Sequence, residues 1–402
     1  MGMKNKSIQY SLLSFTLAFA LLFAGCEATE DPQNTDHGKM CNFQFCLKLP
    51  ESISVKTKAD PPITPTIGDD KININNVWIL QYDVSGNLIR SVYKEDDINN
   101  DTDFVQENLY MVRINTDTNS DEEKFSDMSS HFYIIVNGEK SLLEGFTGTE
   151  ADLKAKTVNF TEALGSRPTL LTSWPSEYNP ATASSEGTED NKKVVFVSRL
   201  FRTYAKVSVK VQFKDATTAA SLSDMTATIT NIPKIIALYT AGGGNSNSLY
   251  PETISATTMN LDAQSFSSLT STSGASADFY MPENLRGLGL SESFEGKNKE
   301  SNGPGSTSVT TSTPDGKLTG CTYLTLKGTY KYSSSHANGI KVEYRFYLGD
   351  NLTNNYNIQR DHHYDLTINI KGANSADLRV KITDGNVAVF DDVDTIENEV
   401  SF

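Results

Sequence analysis

Residues 42–49 read NFQFCLKL, and the order of side chains in this octapeptide decides what kind of fold the chain builds. A β-strand sends successive side chains to opposite faces. Phe43, Phe45, Leu47 and Leu49 therefore share one face, and Asn42, Gln44, Cys46 and Lys48 share the other. A strand with one apolar and one mixed face predicts a sheet that buries one side.

The pattern recurs down the chain. Apolar or alternating runs follow at NNVWILQYDVSGNLIRSVY, HFYIIVNGE, KKVVFVSR, YAKVSVKVQF, MTATITNI, TYLTLKGTYKY, IKVEYRFYLG and YDLTINIKG. Turn signals such as Ser85-Gly86, Asn137-Gly138 and Gly349-Asp350 lie between them. Many short strands with polar turns predict an all-β chain of antiparallel β-sandwiches rather than βαβ units. One helix is expected, over residues 149–164, where Leu153, Val158 and Leu164 give a loose apolar face. The polar, turn-rich residues 175–193 mark a domain boundary, and the Gly/Ser/Thr-rich AGGGNSNS and SNGPGSTSVTTSTPDGK read as surface loops.

The start of the chain has its own logic. Lys4 and Lys6 precede an apolar run from Leu12 to Phe23, followed by Ala24, Gly25 and Cys26. That run is shorter than the roughly 20 residues a spanning helix needs, so it reads as a secretory signal over residues 1–25. Cys26 after a small pair resembles a bacterial lipobox, which implies lipid on its thiol, although Phe23 stands where Leu is usual.

Lys and Arg number 35 and Asp and Glu 50, a net charge of −15; without Lys4 and Lys6 the balance is 33 against 50, or −17. Such a surface repels nucleic acid and anionic lipid heads. Cys41, Cys46 and Cys321 remain after the signal, none of them in a CxxC pattern. Cys46 and Cys321 are expected on strands, and a disulfide between them is one arrangement that three thiols allow in an oxidising compartment.

The motifs carry no catalytic constellation. His362 and His363 are adjacent on an expected strand, point to opposite faces and so cannot share a metal. Gly242, Gly243 and Gly244 lack the Lys-Ser/Thr of a phosphate loop, and the acidic tail DDVDTIENE lacks the glycine of a calcium loop. No GxSxG is present. Paired carboxylates of a glycoside hydrolase are set by the fold and not by the sequence. No enzyme, cofactor or metal is expected.

Taken in order, several phrases resemble the Bacteroidales fimbrillin family of type V pilus subunits. INNVWILQYDVSGNLI, with Trp78, Leu80, Tyr82, Asp83 and Gly86, looks like its opening strand pair. Asn137 ends a similar strand, and Arg202, Ala205 and Lys206 match its Arg-x-x-Ala-Lys. Tyr280, Pro282, Glu283 and Asn284 resemble a Tyr-x-Pro-Glu-Asn stretch. The closing strands are matched by Tyr347, Leu348, Gly349, Asn357, Arg360, Tyr364 and Gly372.

The resemblance implies two transthyretin-like sandwiches in tandem, here over residues 59–192 and 193–402, behind a pro-segment at 26–58. It implies an outer-membrane lipoprotein precursor whose first strand is removed by a protease, so that the open groove takes a strand from another pilus subunit at the cell surface. The displaced strand would carry Phe43, Phe45, Leu47 and Leu49. The donor would lie in the C-terminal hairpin, with Val380 and Ile382 before Asp384-Gly385 and Val387 and Val389 after it. Family pilins are often cut after Arg, but this chain has no Arg before Arg90; Lys56 and Lys58 stand in the corresponding place. A chain left uncut would be an anchor or tip subunit. The alternative is a monomeric surface lipoprotein that binds glycan or protein.

Overall fold

The computed structural model describes residues 38–49, 72–99, 105–106, 109–115, 121–160, 169–186, 193–215, 217–239, 258–270, 273–299, 302–304, 318, 320–333, 335, 338–373 and 375–384. From Lys39 onward the chain forms one compact unit. Strands dominate it, as the alternation predicts.

The first sheet holds, in spatial order, β3 (Leu88–Lys94), β2 (Val77–Asp83), β8 (Ser130–Val136), β10 (Leu171–Ser173), β13 (Lys193–Arg202), β1 (Met40–Lys48), β6 (Leu109–Asn115) and β4 (Ile98–Asn99). Short strands flank this path: β5 (Val105–Gln106) on β6, β7 (Phe125–Ser126) on β1, β11 (Ser176–Tyr178) on β8 and β12 (Ser184–Glu186) on β13. The sheet is folded over on itself. β1 and β8 are three places apart in the ladder, which would separate them by about 14 Å if the sheet were flat, yet Phe43 and Phe45 on β1 each bring their rings to 5.4 Å from Phe132 on β8. The two layers enclose a core that includes Phe43, Phe45, Leu47, Ile79, Phe132, Ile134, Phe196 and Leu200.

A second, larger core lies between two four-stranded sheets. One is β20 (Ala275–Pro282), β14 (Tyr204–Phe213), β23 (His362–Gly372) and β24 (Ser375–Asp384); the other is β19 (Gln264–Ser265), β15 (Ser221–Thr230), β21 (Tyr323–Lys331) and β22 (Ile340–Tyr347). Alternation is strict here. Val207, Val209 and Val211 of β14 and Leu366, Ile368 and Ile370 of β23 point inward, and Tyr344 and Phe346 of β22 meet them from the other sheet. Residues 175–193 carry β11, β12 and the first residue of β13, all in the first sheet, and the chain passes from one core to the other at Thr203.

VWIL and FYIIV in β2 and β8 do not alternate because both of their faces are covered. Trp78, Leu80, Tyr82, Tyr133 and Ile135 point away from the first core into a third cluster with Leu153, Leu238 and Tyr239. That cover includes α1 (Glu150–Lys154), much shorter than the helix expected over 149–164. Thr149 and Asp152 form a reciprocal capping box that starts it, but Thr157, Val158 and Asn159 leave it as β9 (Thr157–Asn159) to pair with β17 (Ile235–Ala237). The β-branched pair gains a ladder that a second helical turn would not offer. A further short pair joins β16 (Ile232–Pro233) to β18 (Thr258–Met259), and a last one-turn helix is α2 (Phe294–Lys297).

Cys46 and Cys321 do not form a disulfide. Cys46 sits on β1, whereas Cys321 precedes β21 rather than lying in a strand, and packs in a small cluster with Leu318 and Tyr356.

Candidate functional site: the seat of the first strand

β1 comes first among the described strands, and it is an interior strand. It runs parallel to β13 from Asn42↔Lys193 to Lys48↔Arg199, and antiparallel to β6 from Gln44↔Asn115 to Lys48↔Met111. At its start Met40 and Cys41 pair with β7, and beyond them Lys39 and Asp127 exchange hydrogen bonds at 2.8 and 2.9 Å. A parallel neighbour cannot be joined by a tight hairpin, so the pair with β13 is made by a long return of the chain.

The inward face is the one the octapeptide specifies. Phe43, Phe45 and Leu47 are fully buried and Leu49 nearly so. Phe43 lies 5.2 Å from Tyr178 and 5.8 Å from Phe125; Phe45 lies 5.3 Å from Phe125 and 5.7 Å from Phe196. Most of these contacts are edge-to-face, the arrangement that aromatic quadrupoles favour. At about 1.5–3 kcal/mol per buried large apolar side chain, the four residues contribute on the order of 6–12 kcal/mol, an upper bound since an unfolded chain already hides some of this surface. On the outward face Gln44 donates to Asn115 on β6 at 3.1 Å.

What this arrangement can do follows from its geometry. With β1 gone, β13 and β6 would each present a row of unpaired N–H and C=O groups beside an aromatic trough. A strand with the same alternation restores both the ladders and the burial. The trough walls were not legible as a site: Phe125, Tyr178 and Phe196 lie far apart in sequence, and β6 shows little alternation in LYMVRIN.

The other site residues are placed differently. Val380 and Ile382 lie on β24, where they stand opposite Leu366 and Tyr364 of β23 in the second sandwich, in a different sheet from β1. Cys26, Lys56, Lys58, Val387 and Val389 lie outside the described residues.

Several of the polar residues that carry the family resemblance, Arg202, Glu283, Asn284 and Arg360, are buried. Arg202 pairs with Asp361 at 2.9 Å, and burial raises the Asp361 carboxyl despite that guanidinium. Arg360 donates to the carbonyls of Ala237 and Leu238 at 2.7 and 3.0 Å and faces Glu283 at 3.4 Å. Asn284 donates to Gly320 O at 2.9 Å and to Thr322 Oγ1 at 2.8 Å. Asn137, in the left-handed region at φ 58°, accepts from Asn75 N and donates to the carbonyls of Asn73 and Thr169. Arg360 and Asn284 thereby satisfy backbone carbonyls that would otherwise be buried without these partners.

Residues 279–368 match the model of a family described as a domain of unknown function, DUF4906. No curated protein matches the sequence significantly. Among solved structures, the chain is similar to a candidate cell-adhesion protein from Parabacteroides distasonis, at a TM-score of 0.52 and 11% identity, over 85% of this chain and 96% of that one. Looser likenesses are to the C-terminally truncated tip fimbrial protein Mfa3 and to a fimbrilin, FimA, both of Porphyromonas gingivalis. Their TM-scores are 0.45 and 0.44, their identities 10% and 12%, and the matches cover 85% and 83% of this chain and 99% and 92% of those chains. Likeness at this level is one of fold alone.

Proposed function

We propose that the chain is a non-catalytic subunit of a cell-surface fimbria or adhesin, assembled by exchange of its first strand. The observation that carries this reading is β1: an interior strand, paired on both sides, whose apolar side chains fill an aromatic trough. The similar fold of a candidate cell-adhesion protein supports the surface role. In this reading Cys26 is lipidated and holds the precursor at the outer membrane. A Lys-accepting protease then cuts at Lys56 or Lys58, the freed β1 leaves, and the C-terminal hairpin of another subunit enters. The cost of removing β1 explains why assembly would wait for the cut, since an intact chain keeps its own strand at high effective concentration.

The test is direct. The full chain is treated with a Lys-specific protease, its new N-terminus is read by mass spectrometry, and a labelled peptide of residues 376–402 is added. Cleavage near Thr57 or Ala59 followed by stable peptide uptake, lost in chains left uncut, supports exchange. A cut chain that keeps β1 and takes up no peptide sinks it. The absence of Arg before Arg90 favours a second reading, an uncut anchor or tip subunit. Acylated Cys26 joined to an intact segment 27–58 in protein sheared from cells would select it.

A further inference from the structure

On the outer face of β21 and β22 the cross-strand partners are Tyr323↔Tyr347, Thr325↔Arg345, Lys327↔Glu343 and Thr329↔Lys341. Two open depressions that share Glu343 lie along this face. One, of about 390 Å³, is lined by Asn298, Leu318, Glu343, Arg345 and Tyr347. The next, of about 440 Å³, is reached past Glu343 and bounded by Lys327, Lys341 and Asp224. Each falls in the range of small-molecule sites, and Glu343 belongs to both. From Lys341 to Tyr347 the groove follows about 20 Å of strand.

We propose that this groove binds a neutral oligosaccharide. Tyr347 lines one end, with its ring 5.3 Å from that of Tyr323, and the Arg345 guanidinium stacks on Tyr323 at 4.8 Å. The C–H face of a pyranose is apolar and suits such rings, while its hydroxyls donate and accept at once and so suit planar charged groups. Those groups line the floor. Glu343 lies 3.4 Å from both Lys327 and Arg345, and all three side chains are about half exposed, which leaves hydrogen-bonding capacity toward solvent. Asn298 is held in place by accepting from Tyr347 N at 3.3 Å.

The charge balance selects the class of sugar. Three cations, Lys327, Lys341 and Arg345, face two carboxylates, Glu343 and Asp224, so the groove is almost neutral on a chain whose net charge is −15. Lys341 and Asp224 are linked through Thr329 Oγ1, at 2.8 and 3.0 Å. An anionic glycan would be repelled by the whole chain with little local compensation. Addition of a peptide strand is disfavoured as well, since an edge studded with alternating charges discourages pairing.

The groove and β1 exchange stand or fall separately, because no residue is shared between them. The test titrates the full chain with neutral hexasaccharides of glucose, mannose and galactose, read by calorimetry and by chemical-shift change. At least one is expected to bind with a Kd below about 1 mM. Glu343→Ala combined with Arg345→Ala should weaken it at least tenfold, Tyr347→Ala should do the same, and Tyr347→Phe, which keeps the ring, should bind within about threefold of the parent. Trp174→Ala, in the link between β10 and β11, should leave binding unchanged. Melting curves confirm that each variant folds, and the exposed Glu343 and Arg345 keep the test valid if Tyr347→Ala does not. The proposal is overturned if none of the three sugars binds, if binding survives the double variant, or if an oligogalacturonate binds more tightly than the neutral sugars.

Discussion

The first described strand and the last one are held in opposite ways. β1 has a ladder on each side, to β13 and to β6, and its alternate side chains fill the first core. β24 lies at the margin of its sheet, with its ladder made to β23. An interior strand leaves two ladders open when it goes; an edge strand leaves one. The difference teaches that the apolar pattern of a segment does not reveal how tightly the fold holds it, since pattern is local and neighbours are not.

Several substitutions break or sharpen that contrast, from the largest expected effect downward. Phe43→Ala and Phe45→Ala should each cost about 3–5 kcal/mol, because each empties a space bounded by other rings that cannot close in. Urea unfolding of the first core measures it. Arg202→Met, at the passage between the two cores, should cost a similar or slightly smaller amount, as Asp361 would be left buried and without its ion partner. Adding Asp361→Leu should recover much of that loss, and a double-mutant cycle reads the coupling. Truncation after Gly372 removes β24 and should weaken hydrogen-exchange protection in β23 while leaving β13 and β6 as protected as before. Equal losses in both sheets would erase the distinction drawn here.

A smaller effect depends on pH. Lys297 is buried, with Nζ donating to the carbonyls of Asn351 and Asn355 at 2.5 and 2.7 Å and lying 5.1 Å from the Tyr356 ring. Burial pushes its pKa down from 10.5 to about 7, against the opposing pull of Cys321 and Asp350. Between these two values the unfolded chain holds a proton that the folded chain lacks, so stability rises with pH across this window, by on the order of 1 kcal/mol per pH unit. Lys297→Met should flatten that slope in thermal melts run from pH 7 to 10. The smallest change is Gly86→Ala. Gly86 turns β2 into β3 at φ +83°, and a side chain there should cost about 1 kcal/mol.

Much of this fold was legible in the sequence for a physical reason. Period-two alternation records which side of a strand meets the core, so NFQFCLKL, YAKVSVKVQF and YDLTINIKG were readable as β1, β14 and β23. Turn residues obey local sterics, and Gly86 and Asn137 stand where positive φ was signalled. The helix over 149–164 was overread because the same residues also fit a strand, and only the presence of β17 settles their state. The walls of the β1 trough and the groove on β22 were invisible, since each collects side chains from segments far apart in the chain.

By itself, then, the sequence determined the main alternating strands, which face of each of them is apolar, and that Phe43, Phe45, Leu47 and Leu49 are one side of a core. Tertiary structure decided the rest: that β1 lies inside a sheet and parallel to β13, that Arg202, Asn284 and Arg360 are buried struts, and that Tyr347, Arg345 and Glu343 line a groove. Backbone geometry and hydrophobic alternation are properties of neighbouring residues, whereas ladder partners, register and concavity exist only after distant segments have met.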